Sequence, residues 1–216
     1  MTWNKKRLRN FKLYLILDAQ VLDYRALLRV LKESVRCGID IVQLRDKFGS
    51  SKDMTAFCRQ ALNLTKHRIP FIVNDRVDVA FLTGADGVHV GQEDIACNDA
   101  RRLLGNKAMI GVSCQTLAQA RKAQKDGADY IGFGSVFTTP TKPERNPMNL
   151  RMLRQVLNAI DVPVFPIGGI SRKNLNILTA IGVGRAAICR DILLAKNTGH
   201  VVKEFKQCLN AGVIQW

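Results

Sequence analysis

Histidine is scarce in this chain: His67, His89 and His200 are the only three among 216 residues, and no two have metal-ligand spacing. His89 falls inside an apolar strand pattern, where an isolated histidine reads as structural. Aromatic residues make up 6% of the chain, and none joins a basic cluster in a nucleic-acid-binding motif. No apolar run approaches the roughly 18 residues of a membrane span. Lys5-Lys6-Arg7-Leu8-Arg9 resembles the start of a signal peptide, but the apolar run after it, Leu13 to Leu17, stops at Asp18 with no small-residue cleavage site. That argues against export. The six cysteines, at 37, 58, 97, 114, 189 and 208, contain no CxxC pair. Their spacing, with several inside expected helices or strands, argues against a disulfide framework or a zinc site and for free thiols in the cytoplasm. Acidic residues are also few, 18 against 33 Lys and Arg, leaving a formal net charge of +15. Nucleic acid is one reading of that excess. A solvated basic surface that draws in anionic small-molecule substrates is favoured, because the cations are scattered.

What the chain does have is length for a full core, 47% hydrophobic residues, and a regular alternation of short apolar runs with helical patterns. Strands are expected at Lys12 to Leu17, Asp40 to Leu44, Pro70 to Asn74, Asp86 to Val90, Ala108 to Val112, Asp129 to Phe133, Pro163 to Ile167 and Arg185 to Ile188. Helices are expected between them, the first over Arg25 to Cys37, the second capped by Ser51, and a closing one over His200 to Asn210. A long Gly/Thr/Pro loop, Gly134 to Pro147, follows the sixth strand. Gly38-Ile39-Asp40, Gly84-Ala85-Asp86, Gly127-Ala128-Asp129 and Gly182-Val183-Gly184 form a weak internal repeat. Each ends a helix and leads into a strand, once per two βα units. Eight βα units of this kind predict an α/β chain folded as a (β/α)8 TIM barrel, one domain over residues 1–216 with residues 1–11 as a basic N-terminal extension. A doubly wound open sheet is the alternative, but Leu17-Asp18-Ala19-Gln20 offers no glycine-rich loop after the first strand.

A barrel gathers its site at the C-terminal ends of the strands. Three polar clusters close consecutive strands there: Gln43-Leu44-Arg45-Asp46-Lys47, Asn74-Asp75-Arg76 and Gly91-Gln92-Glu93-Asp94. Gln43, Arg45 and Lys47 share parity, so alternation sends them to one side. Asp75 and Asp94 with a diphosphate would make a conventional Mg²⁺ site, and Arg45 and Lys47 would neutralise the remaining oxygens. Arg76 and Asp78 could instead meet each other locally. Ser113 ends strand five. Thr139, Thr141 and Lys142 follow strand six, Gly168-Gly169 ends strand seven, and Ile188-Cys189 ends strand eight. Glycines after strand seven allow backbone N–H groups to approach a second phosphate. A diphosphate on one side and a monophosphate on the other indicate two substrates.

Taken in order, these clusters, with Asp86-Gly87-Val88-His89-Val90, Ile110-Gly111-Val112-Ser113 and Ile167-Gly168-Gly169-Ile170, resemble the thiamine phosphate synthase family along nearly the whole chain. The resemblance implies a transferase that joins 4-amino-5-hydroxymethyl-2-methylpyrimidine diphosphate to a thiazole phosphate, or its carboxylated form, by a dissociative, carbocation-like substitution. It implies Mg²⁺ on Asp75 and Asp94. It implies Gln43, Arg45, Lys47, Asn74, Ser113 and Lys142 on the pyrimidine diphosphate, with Arg45, Ser113 and Lys142 closest to the chemistry. Thr139 and Thr141 would meet the thiazole, with Gly168 or Gly169 and the Ile188-Cys189 backbone at its phosphate. Three departures stand out. Cys189 replaces a serine common in the family, and Arg190 after it could add a phosphate-binding cation. Gln115 stands where many relatives have histidine. Asn146 and Met148 are unusual in the loop. The resemblance leaves a thiazole tautomerase as the nearest rival, although Gln115 cannot serve it as an acid or base. A non-catalytic ligand-binding or nucleic-acid-binding barrel is a further alternative, and a homo-oligomer remains open.

Overall fold

Short runs of branched and aliphatic residues, buried on both faces, leave these strands no solvent side, and parallel pairing covered by helices is the arrangement that suits them. A computed structural model describes residues 5–141 and 146–211. Its strands are β1 (Leu13–Asp18), β2 (Ile41–Arg45), β3 (Phe71–Asn74), β4 (Gly87–Val90), β5 (Met109–Cys114), β6 (Tyr130–Gly134), β7 (Val164–Ile167) and β8 (Ala186–Ile188). Each pairs in parallel with the next, and β8 returns to β1, so the sheet closes as an eight-stranded barrel. The helices are α1 (Tyr24–Arg36), α2 (Ser51–Thr65), α3 (Val77–Thr83), α4 (Cys97–Leu104), α5 (Leu117–Lys125), α6 (Leu150–Ala159), α7 (Leu175–Thr179), α8 (Arg190–Leu193) and α9 (Thr198–Ala211).

Strand parity divides the core in two. Leu13, Leu15 and Leu17 pack outward against the helices, together with Val42, Leu44, Val73 and Val88. Tyr14 and Ile16 turn inward and meet Ile41, Ile72, Met109, Tyr130 and Phe165 inside the barrel. Tyr14 lies edge-on to both Tyr130 and Phe165, with ring centroids 5.7 and 5.4 Å away. The basic N-terminal segment is more than an extension: residues 5–10 form a 3-10 helix. Leu8 from that helix and Phe11 just after it enter the inner cluster, plugging the N-terminal end of the barrel.

Three carboxylates stitch this lower rim. Asp40 accepts the N–H groups of Lys12 and Leu13, both at 2.9 Å, and the Lys206 ammonium. Asp86 accepts from Phe71 N–H at 2.9 Å and meets His67 at 2.8 Å. Asp129 accepts from Ile110 N–H at 2.8 Å and from the Arg101 guanidinium at 2.6 Å. Each pins the start of one strand to the entry of the next.

Several boundaries differ from the expectations. The cap of α2 is Ser50, whose hydroxyl accepts from Asp53 N–H at 3.1 Å; Ser51 is the first helical residue and instead accepts from Arg76 at 2.6 Å. Ser113 lies inside β5, which runs one residue beyond it. The four-residue α8 was not expected, being too short to show a helical period. All six cysteines are unpaired, as their spacing implied. No described helix is long and apolar enough to cross a membrane.

Candidate active site

Polar side chains replace apolar ones as the inner face nears the C-terminal rim, opening a cavity of ≈ 420 Å³. Gln43, Arg45, Asn74 and Ser113 enter its wall from β2, β3 and β5. Thr139 and Thr141 come from the loop after β6, Gly168 and Gly169 from the turn after β7, and Cys189 and Arg190 from the end of β8. Nine of the expected substrate contacts therefore share one space. Lys47, Asp75 and Asp94 form a cluster beside it rather than in its wall. Ile188 does not reach it: the side chain is fully buried in the outer core, so only its backbone can serve. Lys142 lies outside the described residues.

On the β1–β2 side, Arg45 donates to Asp18 at 2.9 Å and to Gln20 at 2.6 Å. Asp18 is itself buried as the last residue of β1, and these contacts hold the guanidinium at the rim. Asp46 turns away to organise its own loop, accepting from Tyr24 at 2.5 Å and from the N–H groups of Phe48 and Gly49. Burial opposes ionisation of Asp46, but the Tyr24, Phe48 and Gly49 donors outweigh it and leave its pKa lowered. Arg76 likewise leaves the site and pairs with Asp78 at 2.6 Å.

The acidic cluster is built differently. Asp75 holds a left-handed backbone, φ 60°, which is strained for a residue other than glycine. Its N–H is tied to the His89 carbonyl at 2.8 Å. The turn brings the Asp75 carboxylate against Asp94 and the Lys47 ammonium. Burial raises the Asp75 pKa, and neighbouring Asp94 raises it further, while Lys47 pulls the other way. Asp94 is oriented by Gly91 N–H at 2.7 Å, and a Cβ at Gly91 would stand only 2.8 Å from that carboxylate. Two abutting carboxylates and one lysine fit a Mg²⁺ ion shared with phosphate oxygens. No group of three or more metal-ligating side chains occurs among the described residues, so substrate or water oxygens would complete the shell.

Opposite, the tight Gly168-Gly169 turn has φ 99° and 64°. A Cβ at Gly168 would lie 2.7 Å from Ser135, and one at Gly169 would strike the Thr138 carbonyl. Only glycine allows the β6 loop to sit against this turn, and that contact carries Thr139 into the cavity. Burial pushes the Cys189 thiol up to about 12, so it is neutral there.

The floor holds residues that strand pattern alone did not single out. Gln43 donates to the Tyr14 hydroxyl at 2.7 Å, which meets the Tyr130 hydroxyl at 2.7 Å. His89 joins Tyr130 at 3.2 Å and Ser113 at 2.9 Å through its two ring nitrogens. A chain of polar contacts thus crosses the barrel from β2 to β5. Burial raises both tyrosine pKa values, keeping both phenols neutral. Glycines at 111 and 132 make room for the rings; a Cβ at Gly132 would stand 3.1 Å from His89. These glycines, with the inward parity of His89, were the signal available in the sequence. Gln115 is exposed and does not line the cavity.

Known proteins match this chain over most of its length. Residues 13–192 match the family model described as thiamine monophosphate synthase. The thiamine-phosphate synthase of Alkaliphilus oremlandii is 40% identical over 205 residues, 94% of this chain and 96% of that protein. The Clostridium tetani protein of the same name is 38% identical over 92% of this chain and 95% of its own length. Among solved structures, the thiamine phosphate pyrophosphorylase of Pyrococcus furiosus superposes with a TM-score of 0.85 at 29% identity, covering 97% of this chain and 98% of that one. The chain belongs to the thiamine monophosphate synthase family.

Proposed function

We propose that the chain is a cytoplasmic transferase joining 4-amino-5-hydroxymethyl-2-methylpyrimidine diphosphate to a thiazole phosphate, with thiamine monophosphate and diphosphate as products. The observation that carries this reading is the Lys47–Asp75–Asp94 cluster at one edge of a cavity whose other wall is the Gly168-Gly169 turn. One edge suits a metal-bound diphosphate and the other a monophosphate, with space for two rings between them.

Asp75 and Asp94 would hold Mg²⁺, which when bound supplies positive charge to the diphosphate oxygens. Arg45 and Lys47 take a share of the charge that develops as the methylene carbon–oxygen bond breaks, its electron pair leaving with diphosphate. Lys142 is assigned to the same group. Gln43, Asn74 and Ser113 orient the pyrimidine. Thr139 and Thr141 orient the thiazole, and backbone N–H groups at Gly168 or Gly169 and around Ile188-Cys189 hold its phosphate beside Arg190. The thiazole nitrogen then closes the new C–N bond with its lone pair. That nitrogen carries no proton to be removed, so the step needs charge stabilisation and exclusion of water more than a general base. Neutral Tyr14, Tyr130 and Cys189 accord with that demand. His89 acts through its hydrogen bond to Ser113 and is a positioning residue.

Purified protein supplied with Mg²⁺ and both phosphorylated substrates should release thiamine monophosphate and diphosphate in equal amounts. Absence of product, with isomerisation of the thiazole phosphate in its place, would overturn this reading.

A further inference from the structure

Among the described residues that line the rim cavity, three arginines stand against two aspartates, so one positive charge is unmatched. The pairing shows which one. Arg45 is held by buried Asp18 and by Gln20. Arg172, in the loop after β7, donates through Nε to Asp191 at 3.1 Å and through a terminal nitrogen to Glu204 at 3.1 Å. Arg190 is half-buried, yet its side chain has no hydrogen bond or ion pair among the described residues.

Helix α8 decides where Arg190 faces. Ile192 and Leu193 are buried in the outer core. Arg190, Asp191 and Leu194 line the cavity instead. Positions 190, 191 and 194 share one side of a helical turn and 192–193 occupy the other, so burial of the apolar pair turns Arg190 to the cavity. Asp191 fastens this turn in place. Besides the Arg172 guanidinium it accepts the Arg172 backbone N–H at 2.8 Å. The loop that begins at Gly168-Gly169 is thereby joined to α8, and Glu204 joins the same arginine to α9. Asp191 neutralises Arg172 and leaves its own neighbour Arg190 unmatched. Cys189, on the other side, is a neutral thiol and a weak donor, so its side chain contributes little to holding an anion. A half-buried guanidinium without an acceptor is the strongest donor that an anion on this side of the cavity would meet.

Resting on the synthase reading, we propose that Arg190 is a specificity-determining residue of the thiazole station: its guanidinium binds the ester phosphate directly and distinguishes the phosphorylated thiazole from the free alcohol. Asp191 is its positioning residue. Through the Arg172 clamp it keeps α8 against the Gly168-Gly169 loop, so that the side-chain cation and the backbone N–H groups face one phosphate.

Calorimetric titration of the thiazole phosphate, and separately of the unphosphorylated thiazole alcohol, into protein saturated with Mg²⁺ and diphosphate reads this without turnover. Arg190→Ala should weaken binding of the phosphate about tenfold to a hundredfold and leave binding of the alcohol unchanged. Arg190→Lys should recover part of the loss, because it restores the charge without the fork. Asp191→Ala should weaken the phosphate about tenfold, again sparing the alcohol, and should add little to Arg190→Ala in the double variant. Undiminished phosphate binding by Arg190→Ala, or an equal loss for phosphate and alcohol, would overturn the proposal; a fully additive loss in the double variant would overturn the role of Asp191. Binding through Arg190 in a protein that makes no thiamine monophosphate would sink the synthase reading and leave the Arg190 contact standing. Normal synthesis with phosphate binding indifferent to Arg190 would do the reverse.

Discussion

At the lower rim of the barrel, Asp40, Asp86 and Asp129 each meet backbone N–H groups and a basic partner of their own. At the upper rim, Asp75 abuts Asp94 and pairs with Lys47, and Asp75 is also held in a left-handed backbone. The same residue type thus serves two purposes. Matched carboxylates clamp strand starts and contribute to stability. Abutting carboxylates, with Asp75 resisting ionisation, leave a place that a divalent cation would complete. The plug formed by Leu8 and Phe11 fits this division, since it packs into the inner cluster at the lower end, away from the residues that line the rim cavity.

The sharpest way to break the comparison is to exchange the effects of the two kinds of acid. Asp75→Ala should lower kcat/KM by about a thousandfold, a loss on the order of 4 kcal/mol in the transition state, while the melting temperature without metal changes little. Steady-state kinetics with differential scanning calorimetry would check both. Asp129→Ala should do the reverse. Removing the carboxylate opposite Arg101 and the acceptor of Ile110 N–H should cost about 3 kcal/mol of folding stability, a fall of roughly 6–12 °C in melting temperature, with kcat preserved at 25 °C. If Asp129→Ala abolished activity in the folded protein, the lower rim would not be purely structural.

The smaller effects sharpen the boundary between the two regions. His89→Asn should lower kcat about tenfold, roughly 1.4 kcal/mol, without changing the Kd for Mg²⁺-diphosphate, because it orients Ser113 rather than the acidic cluster. Asp46 should behave as a structural acid despite standing at the upper rim. Its folded pKa is depressed, so its contribution to stability is fully present above its unfolded value near 3.9 and is lost as pH falls through the lower folded value. Asp46→Asn should therefore melt slightly below the parent protein at neutral pH, and the two should converge as the solution is acidified through that window.

Much of this was legible from residue order. The eight apolar runs map onto eight strands. Parity grouped Gln43, Arg45 and Lys47 on one side; Gln43 and Arg45 line the cavity, whereas Lys47, past the end of β2, pairs with Asp75 beside it. Strand ends were less legible. Asp18 read as the residue that stops β1, yet it is the buried end of that strand and anchors Arg45. Ser51 reads as a cap from its place before the apolar pattern, although the spacing of Ser50 to Asp53 is the stronger signal. The polar floor was hardest to see. Tyr14, His89 and Tyr130 come from three strands, and their meeting depends on barrel closure, which no local pattern encodes.

Calorimetric titration of Mg²⁺ with diphosphate into the parent protein, Asp75→Asn, Asp94→Asn and Asp129→Asn tests the division between the rims most directly. Binding should persist in the parent and in folded Asp129→Asn, and should be lost in both Asp75→Asn and Asp94→Asn. Undiminished binding by Asp75→Asn would contradict the account.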